Sequence, residues 1–419
     1  VVAIFIYIPN ITNRHRYVCA ILSEYIGIPF IGTSDNKPSA IMYCKEFMEG
    51  YFSIYDYGIL SDKGVNSYNL DNPIMWNDTR IPFPSPRGFD IPFDIFSAIF
   101  YYLTHYDMYL PYVADLHGRI RKEDTIAFRH NNHKVPVVEY WIHYFVDAIN
   151  RYFNLSISIE HKYALHPTMD IDHYSLLSHR GIFGNLKGKF YSYKYPLSIL
   201  KQKGWIKDSD PFQIFNYLEN TYPSFLYFLL LKSGSLDCIN VIHDNYIRKI
   251  LQNAGIDNDR TGIHFSYYSS EENLMADECS RYKNIAGIIP KKSRAHFLRY
   301  AIQEYFQTIE NLGIEEDYSL GYYDTSGFIT GMSRSYQWYN IHKEEISRLR
   351  VQPFCMMDAT YVYYNKFSIS EIAADIAVLK SNIMRVDGVL SVILHNDIIT
   401  LLQEDIVLGE ALFFNIFSK

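Results

Sequence analysis

"LHPTMDID", residues 165–172, puts Asp170 and Asp172 two positions apart at the end of an apolar run (Ile157, Ile159, Tyr163, Leu165) that reads as a buried strand. Side chains alternate faces along a strand, so the two carboxylates would project the same way, within a few ångströms. Like charges at that separation call for a cation or a shared proton. The plainer reading is a solvated strand end whose aspartates cap the next turn. The rest of the chain decides between them by what stands at the ends of its other strands.

Downstream, β-rich runs alternate with helical patterns. SFLYFLLLK, TGIHFSYYS, DYSLGYYD, VQPFCMMDA and VLSVILHND read as strands, and 243–253, 271–285, 297–311 and 369–384 as helices. Such alternation predicts an α/β fold with a parallel sheet, open or closed into a barrel. In a barrel the chemistry gathers at the carboxyl ends of the strands. Asp170, Asp172, His264, Asp317 and His395 all fall at those ends.

Upstream the texture differs. VVAIFIYIP alternates like a first strand and lacks a basic leader and a small-residue cleavage site, although trimming of a longer chain is compatible with it. Thr12 is placed to cap a helix carrying Tyr17, Ile21 and Tyr25. After a proline-rich stretch at 72–93, FDIFSAIFYYLTHYDMYL (93–110) repeats apolar residues at helical spacing and predicts a largely buried helix. We place a boundary in NRYFNLSISIEHKY, giving a smaller α/β unit at 1–155 and a second unit at 156–419. A chain of 419 residues is long enough for two cores.

A composition of 48% hydrophobic and 20% charged residues is that of a folded protein. A net charge of -7, with Lys291, Lys292 and Arg294 as the densest basic group, argues against a nucleic-acid partner. Five cysteines (Cys19, Cys44, Cys238, Cys279, Cys355) without CxxC spacing suggest neither disulfides nor a cysteine zinc site, and fit the cytoplasm. No apolar run, SFLYFLLL included, reaches the roughly 18 to 20 residues of a membrane span.

Taken as chemistry, the strand-end residues form a metal hydrolase kit: carboxylate and imidazole for a divalent ion, a second carboxylate as base, a second imidazole as acid. Singly each has a plain alternative. His264 and His395 are also what hydrogen-bonded core histidines look like, Asp317 could cap a turn, and Arg294 and Arg299 could be surface charges at a helix start.

The ordered set TMDID, GIHFSYYSS, RAHFLRY, DYSLGYYDTSGFITGMSR and ILHND resembles the polysaccharide deacetylases of the NodB-homology group (carbohydrate esterase family four), in a divergent Bacteroidetes-type form. FDIFSAIFYYLTHYDMYL, DLHGR and VPVVEYW are similar to an uncharacterised domain that precedes the deacetylase domain there. The resemblance implies a distorted (β/α) barrel in the second unit, removal of N-acetyl or O-acetyl groups from a sugar or polysaccharide, and a bacterial cell-envelope setting. It also implies one divalent ion, zinc in the first place, with cobalt or nickel as substitutes.

Residue by residue, the resemblance makes Asp170 the base, Asp172 and His264 metal ligands, Arg294 the group that holds the base, His395 the general acid and Asp317 its nearby carboxylate. One departure stands out: four residues before His264, where the family has a second ligand, stands Arg260, and the alternative four residues after it, Tyr268, is a poor ligand. His296 and His173 are the substitutes in reach, and His296 ranks first because strand alternation turns His173 away from Asp172. Tyr267, Tyr322 and Trp338 are candidate sugar-stacking residues, with Tyr268, Tyr323 and Tyr339 beside them, or else core and surface filler. Two rival readings remain: a carbohydrate-binding or scaffold protein with a decayed site, and a metal-free glycoside hydrolase using Asp170 and Asp358. Oligomeric state is not legible.

Overall fold

The structure is a computed structural model that describes residues 3–35, 41–174, 225–232, 236–237, 243–253, 255–269, 271–396, 412 and 415–417. Cys238, Asp397 and the first residue of SFLYFLLLK lie outside them.

The chain opens with β1 (Ile4–Tyr7) and α1 (Asn13–Ile26). Thr12 caps that helix as its sequence suggests, in a reciprocal box with His15, and Gly27 closes it at φ 82°. β1 is the second strand of a four-stranded parallel sheet with β2 (Phe30–Thr33), β3 (Ile41–Cys44) and β4 (Phe52–Tyr55), in the order β2-β1-β3-β4. A two-stranded antiparallel hairpin, β5 (Ile74–Trp76) and β6 (Thr79–Ile81), follows. The helix expected over 93–110 is shorter. α2 (Ile95–Leu103) is buried at every position, and His105, at φ 51°, breaks the ladder before a 3-10 turn at Tyr106–Tyr109. A one-turn helix, α3 (Ile126–Arg129), precedes α4 (Val137–Phe153).

The second sheet has nine strands. They are β7 (Ala164–Ile171), β8 (Leu226–Leu230), β9 (Thr261–Phe265), β10 (Lys292–Ala295), β11 (Glu316–Asp317), β12 (Tyr336–Asn340), β13 (Glu345–Val351), β14 (Met356–Met357) and β15 (Val389–His395). Their order is β12-β13-β11-β10-β9-β8-β7-β15-β14, and every neighbouring pair is parallel except β12 and β13. The expected barrel is not closed: among the described residues the ladder ends at β12 on one side and β14 on the other. Crossover helices α5 (Asp244–Asn253), α6 (Glu272–Ala286), α7 (Ile302–Asn311) and α8 (Ile369–Met384) supply the alternation read from the sequence.

Three local readings change. The strand run into β7 begins only at Ala164, and residues 154–163 carry no regular structure. DYSLGYYD pairs at Asp317 alone, because residues 318–335 form a long irregular connection. The helix expected from 297 starts at Ile302 because Phe297 and Leu298 sit in the left-handed region.

The first sheet's layer leans on the edge of the second. Tyr17 on α1 donates to the Gln337 carbonyl at 2.8 Å, and fully buried Arg14 meets Glu344 at 2.5 Å. No described helix is long and apolar enough to cross a membrane.

Candidate metal centre

The parallel register brings the strand ends together. His395 on β15 is level with Asp170 on β7, and Arg294 on β10 is level with His264 on β9. Asp172 lies just beyond β7, where Asn396 accepts its backbone N–H at 3.2 Å and so fixes the direction in which the chain leaves the sheet. His296 follows β10 directly.

Asp172, His264 and His296 each offer a ligand atom, and these atoms all lie within 4.8 Å of one another. His264 Nε2 is 3.4 Å from one Asp172 oxygen, and His296 Nε2 is 3.7 Å from the other. Each histidine uses its other nitrogen behind the site. His264 Nδ1 donates to the Arg294 carbonyl at 3.1 Å, and His296 Nδ1 to Asp237 Oδ1 at 2.9 Å. Such backing fixes the tautomer and leaves Nε2 facing forward, as metal-binding histidines require. His264 Nε2 and Asp172 Oδ1 are buried and have no hydrogen-bond partner. Buried polar atoms are rarely left so, and a cation between them removes the cost. The donor set therefore fits one divalent ion with three protein ligands.

The electrostatics agree. Burial holds the His264 imidazolium pKa below its usual value against the pull of Asp170 and Asp172, which favours the neutral, ligating form. Burial acts the same way on His296, but Asp172 and Asp237 outweigh it and raise the pKa to about 9. Burial alone would raise the Asp172 pKa, yet the facing histidines, His296 foremost, hold it well below the carboxylate range. Ion-free, the site keeps a proton where an ion would place its charge.

Two further groups flank it. Asp170 Oδ1 accepts from Arg294 Nη1 at 2.5 Å, and the same guanidinium donates to Thr168 Oγ1 and the Tyr318 carbonyl while resting 4.3 Å from the Phe228 ring centre. Asp170 Oδ2 faces His264 Nε2 at 3.5 Å and His395 Nε2 at 3.9 Å. His395 Nδ1 donates to Asp358 Oδ1 at 2.6 Å, and its backbone N–H to Asp358 Oδ2 at 2.7 Å. Burial disfavours charge on His395, but Asp358, then Asp172 and Asp170, lift its pKa well above the usual value.

Residues 4–154 match a family of unknown function, DUF7033. No curated protein sequence matches the chain. Among solved structures, one provisionally named a polysaccharide deacetylase, from Mycobacterium smegmatis, is similar at 13% identity and a TM-score of 0.36, over 58% of this chain and 79% of that one. A polysaccharide deacetylase from Bacillus cereus is similar at 10% identity and a TM-score of 0.28, over 61% and 87%. Neither similarity is high enough to speak to chemistry.

Several expected residues stand elsewhere. Asp317 is not the partner of His395: its fully buried carboxylate accepts from Ser293, Tyr305 and Ser319, and Asp358 holds the histidine instead. That also removes Asp358 from the glycoside hydrolase pair, since both its oxygens are taken by His395 and by the Ala359 N–H. Tyr322 is buried with its hydroxyl on Thr125, and Trp338 is buried against Phe306, so neither offers a face to a sugar. Tyr267 is half-buried beside the site, with its hydroxyl 3.1 Å from His117 Nδ1. His173 donates its N–H to Asn396 and is outside the donor set. Asp237 and Asn396 were invisible in the sequence. Asp237 lies between strands with no periodic signal around it, and the asparagine of ILHND looks like a turn former.

Proposed function

We propose that the chain is a metal-dependent hydrolase that removes acetyl groups, N-acetyl foremost, from a sugar or polysaccharide. The observation that carries this reading is the Asp172–His264–His296 donor set, in which His264 Nε2 and Asp172 Oδ1 are buried without a hydrogen-bond partner, beside an arginine-held carboxylate, Asp170, and a carboxylate-backed imidazole, His395.

A divalent ion held by those three ligands supplies electrophilic activation of water and of an acyl carbonyl. Asp170 is fixed by Arg294 through one oxygen and turns the other into the site, positioned to take the proton of the attacking water. His395, kept protonated by Asp358, gives its Nε2 proton to the nitrogen as the C–N bond breaks, so that acetate and a free amine leave. The sugar enters the proposal through the ordered motifs of the sequence. Exposed Tyr268, after β9, and Tyr363 and Tyr364, after β14, offer ring faces to such a ligand.

The test is to load purified protein with zinc, remove excess, and count ions in wild type, Asp172→Ala, His264→Ala and His296→Ala, then assay acetate release from N-acetylated oligosaccharides. One ion per wild-type chain, lost in each variant, together with acetate release, is the expected result. No retained ion overturns the mechanism. A retained ion without acetate release from N- or O-acetylated sugars overturns the substrate and leaves a binding protein.

A further inference from the structure

We infer that Arg119, in the segment that matches DUF7033, is a positioning residue for the metal ligand His296, so that this segment builds part of the active site. The inference rests on the metal-centre reading above.

His296 leaves β10 into a tight turn. The Arg299 N–H closes on the His296 carbonyl at 3.2 Å, and the two central residues, Phe297 and Leu298, have φ of 58° and 53°. Two successive left-handed residues suit Asn-Gly, whereas Phe and Leu are poor choices because their Cβ atoms crowd the backbone. Backbone of this kind persists only where its surroundings over-determine it. The direction of the His296 ring depends on what holds the turn.

Much of that hold comes from one loop. Residues 114 and 120 form an antiparallel bridge, and Asp115 accepts the N–H groups of His117 and Arg119, each at 2.8 Å. Arg119 is 6% exposed. It pairs with Asp115 through Nε at 2.9 Å and Nη2 at 2.8 Å, lies 3.5 Å from the Tyr323 ring centre, and with Nη1 donates to the Phe297 carbonyl at 3.0 Å and the Tyr364 hydroxyl at 3.2 Å. The guanidinium thus ties the strained turn to a closed loop and to a second aromatic wall.

A second route ends on the same loop. His117 meets the Tyr267 hydroxyl at 3.1 Å, the Tyr267 N–H donates to Asp237 Oδ1 at 2.6 Å, and that oxygen accepts from His296 Nδ1 at 2.9 Å. Both the turn that follows His296 and the ring of His296 are therefore referred to residues 115–119. His296 lies past the end of β10, so this buttress rather than a strand holds it in place.

Titration of the ion-free protein with Co2+ alone, followed by visible absorption, tests the inference. Arg119→Ala should bind Co2+ at least about tenfold more weakly than wild type, with an altered ligand-field band, and Arg119→Lys should fall between them. Binding within twofold of wild type in a folded Arg119→Ala overturns the inference. If Arg119→Ala does not fold, Arg119→Lys decides. It keeps the positive charge but lacks the fork that reaches Asp115 and Phe297 together, so weakening of several-fold supports the role and binding within twofold overturns it. A wild type that takes up no Co2+ overturns the metal reading itself, and this inference with it.

Discussion

Asp358 meets His395 twice, through the ring Nδ1 and the backbone N–H, and is itself wholly buried. A residue needed as an acid must hold its proton at working pH, and here carboxylates raise the pKa of His395 above its ordinary value despite burial. Replacing Asp358 by Asn keeps the shape and removes the charge. The pKa of His395 then falls, so the alkaline limb of the kcat profile should move to lower pH, and kcat near neutrality should drop by about 10²-fold or more. A pH series of kcat for Asp358→Asn checks this, and an unmoved alkaline limb would show that His395 is not the acid.

At the scale of elements, β9 is packed closely against both its neighbours. Gly262 has no side chain because the neighbouring strands leave no space for one: a Cβ there would lie 2.6 Å from the Phe228 ring and 2.9 Å from the Lys292 carbonyl. Phe228 also supports the Arg294 guanidinium that holds Asp170. Gly262→Ala must therefore push β9 from β10 or tilt the phenyl ring. We expect a loss of about 1–3 kcal/mol in urea unfolding, typical of overpacking, together with a fall in kcat larger than that of an equally destabilising change on the far side of the molecule. Equal falls in kcat would make Gly262 a matter of stability alone. The turn at 296–299 shows the opposite case, in which an element keeps side chains its geometry does not favour because a distant loop holds them.

On the scale of the whole molecule, Glu139 on α4 is buried where the first layer meets the second sheet. It accepts from Ser333 Oγ at 2.8 Å and from the Arg334 N–H at 3.3 Å. Burial outweighs those bonds and raises the Glu139 pKa from 4.5 to about 7. The folded state therefore binds this proton more tightly than the unfolded chain does. The resulting stability is fully present below pH 4.5 and is lost as pH rises through 7. Glu139→Gln abolishes that dependence. Its stability relative to wild type should rise by roughly 3 kcal/mol between the acid end and pH 8, because each tenfold difference in proton affinity between the two states is worth about 1.4 kcal/mol. Urea unfolding of both proteins at pH 5 and pH 8 measures it, and a pH-independent difference would refute the coupling.

Local features were legible in the chain alone. The α/β alternation, the Thr12 cap and the placing of Asp170, Asp172, His264 and His395 at strand ends follow from periodicity and capping, which are set by residues near one another in the chain. The pairings required the folded molecule. β15 lies beside β7 although more than 200 residues separate them, which brings His395 level with Asp170, and Asp358 rather than Asp317 reaches the histidine. Folding likewise leaves the sheet open among the described residues, and turns His296 toward Asp172 and His264 through a backbone conformation its own residues disfavour. Strand order and strain at a turn are fixed by contacts across the fold, which no local pattern encodes.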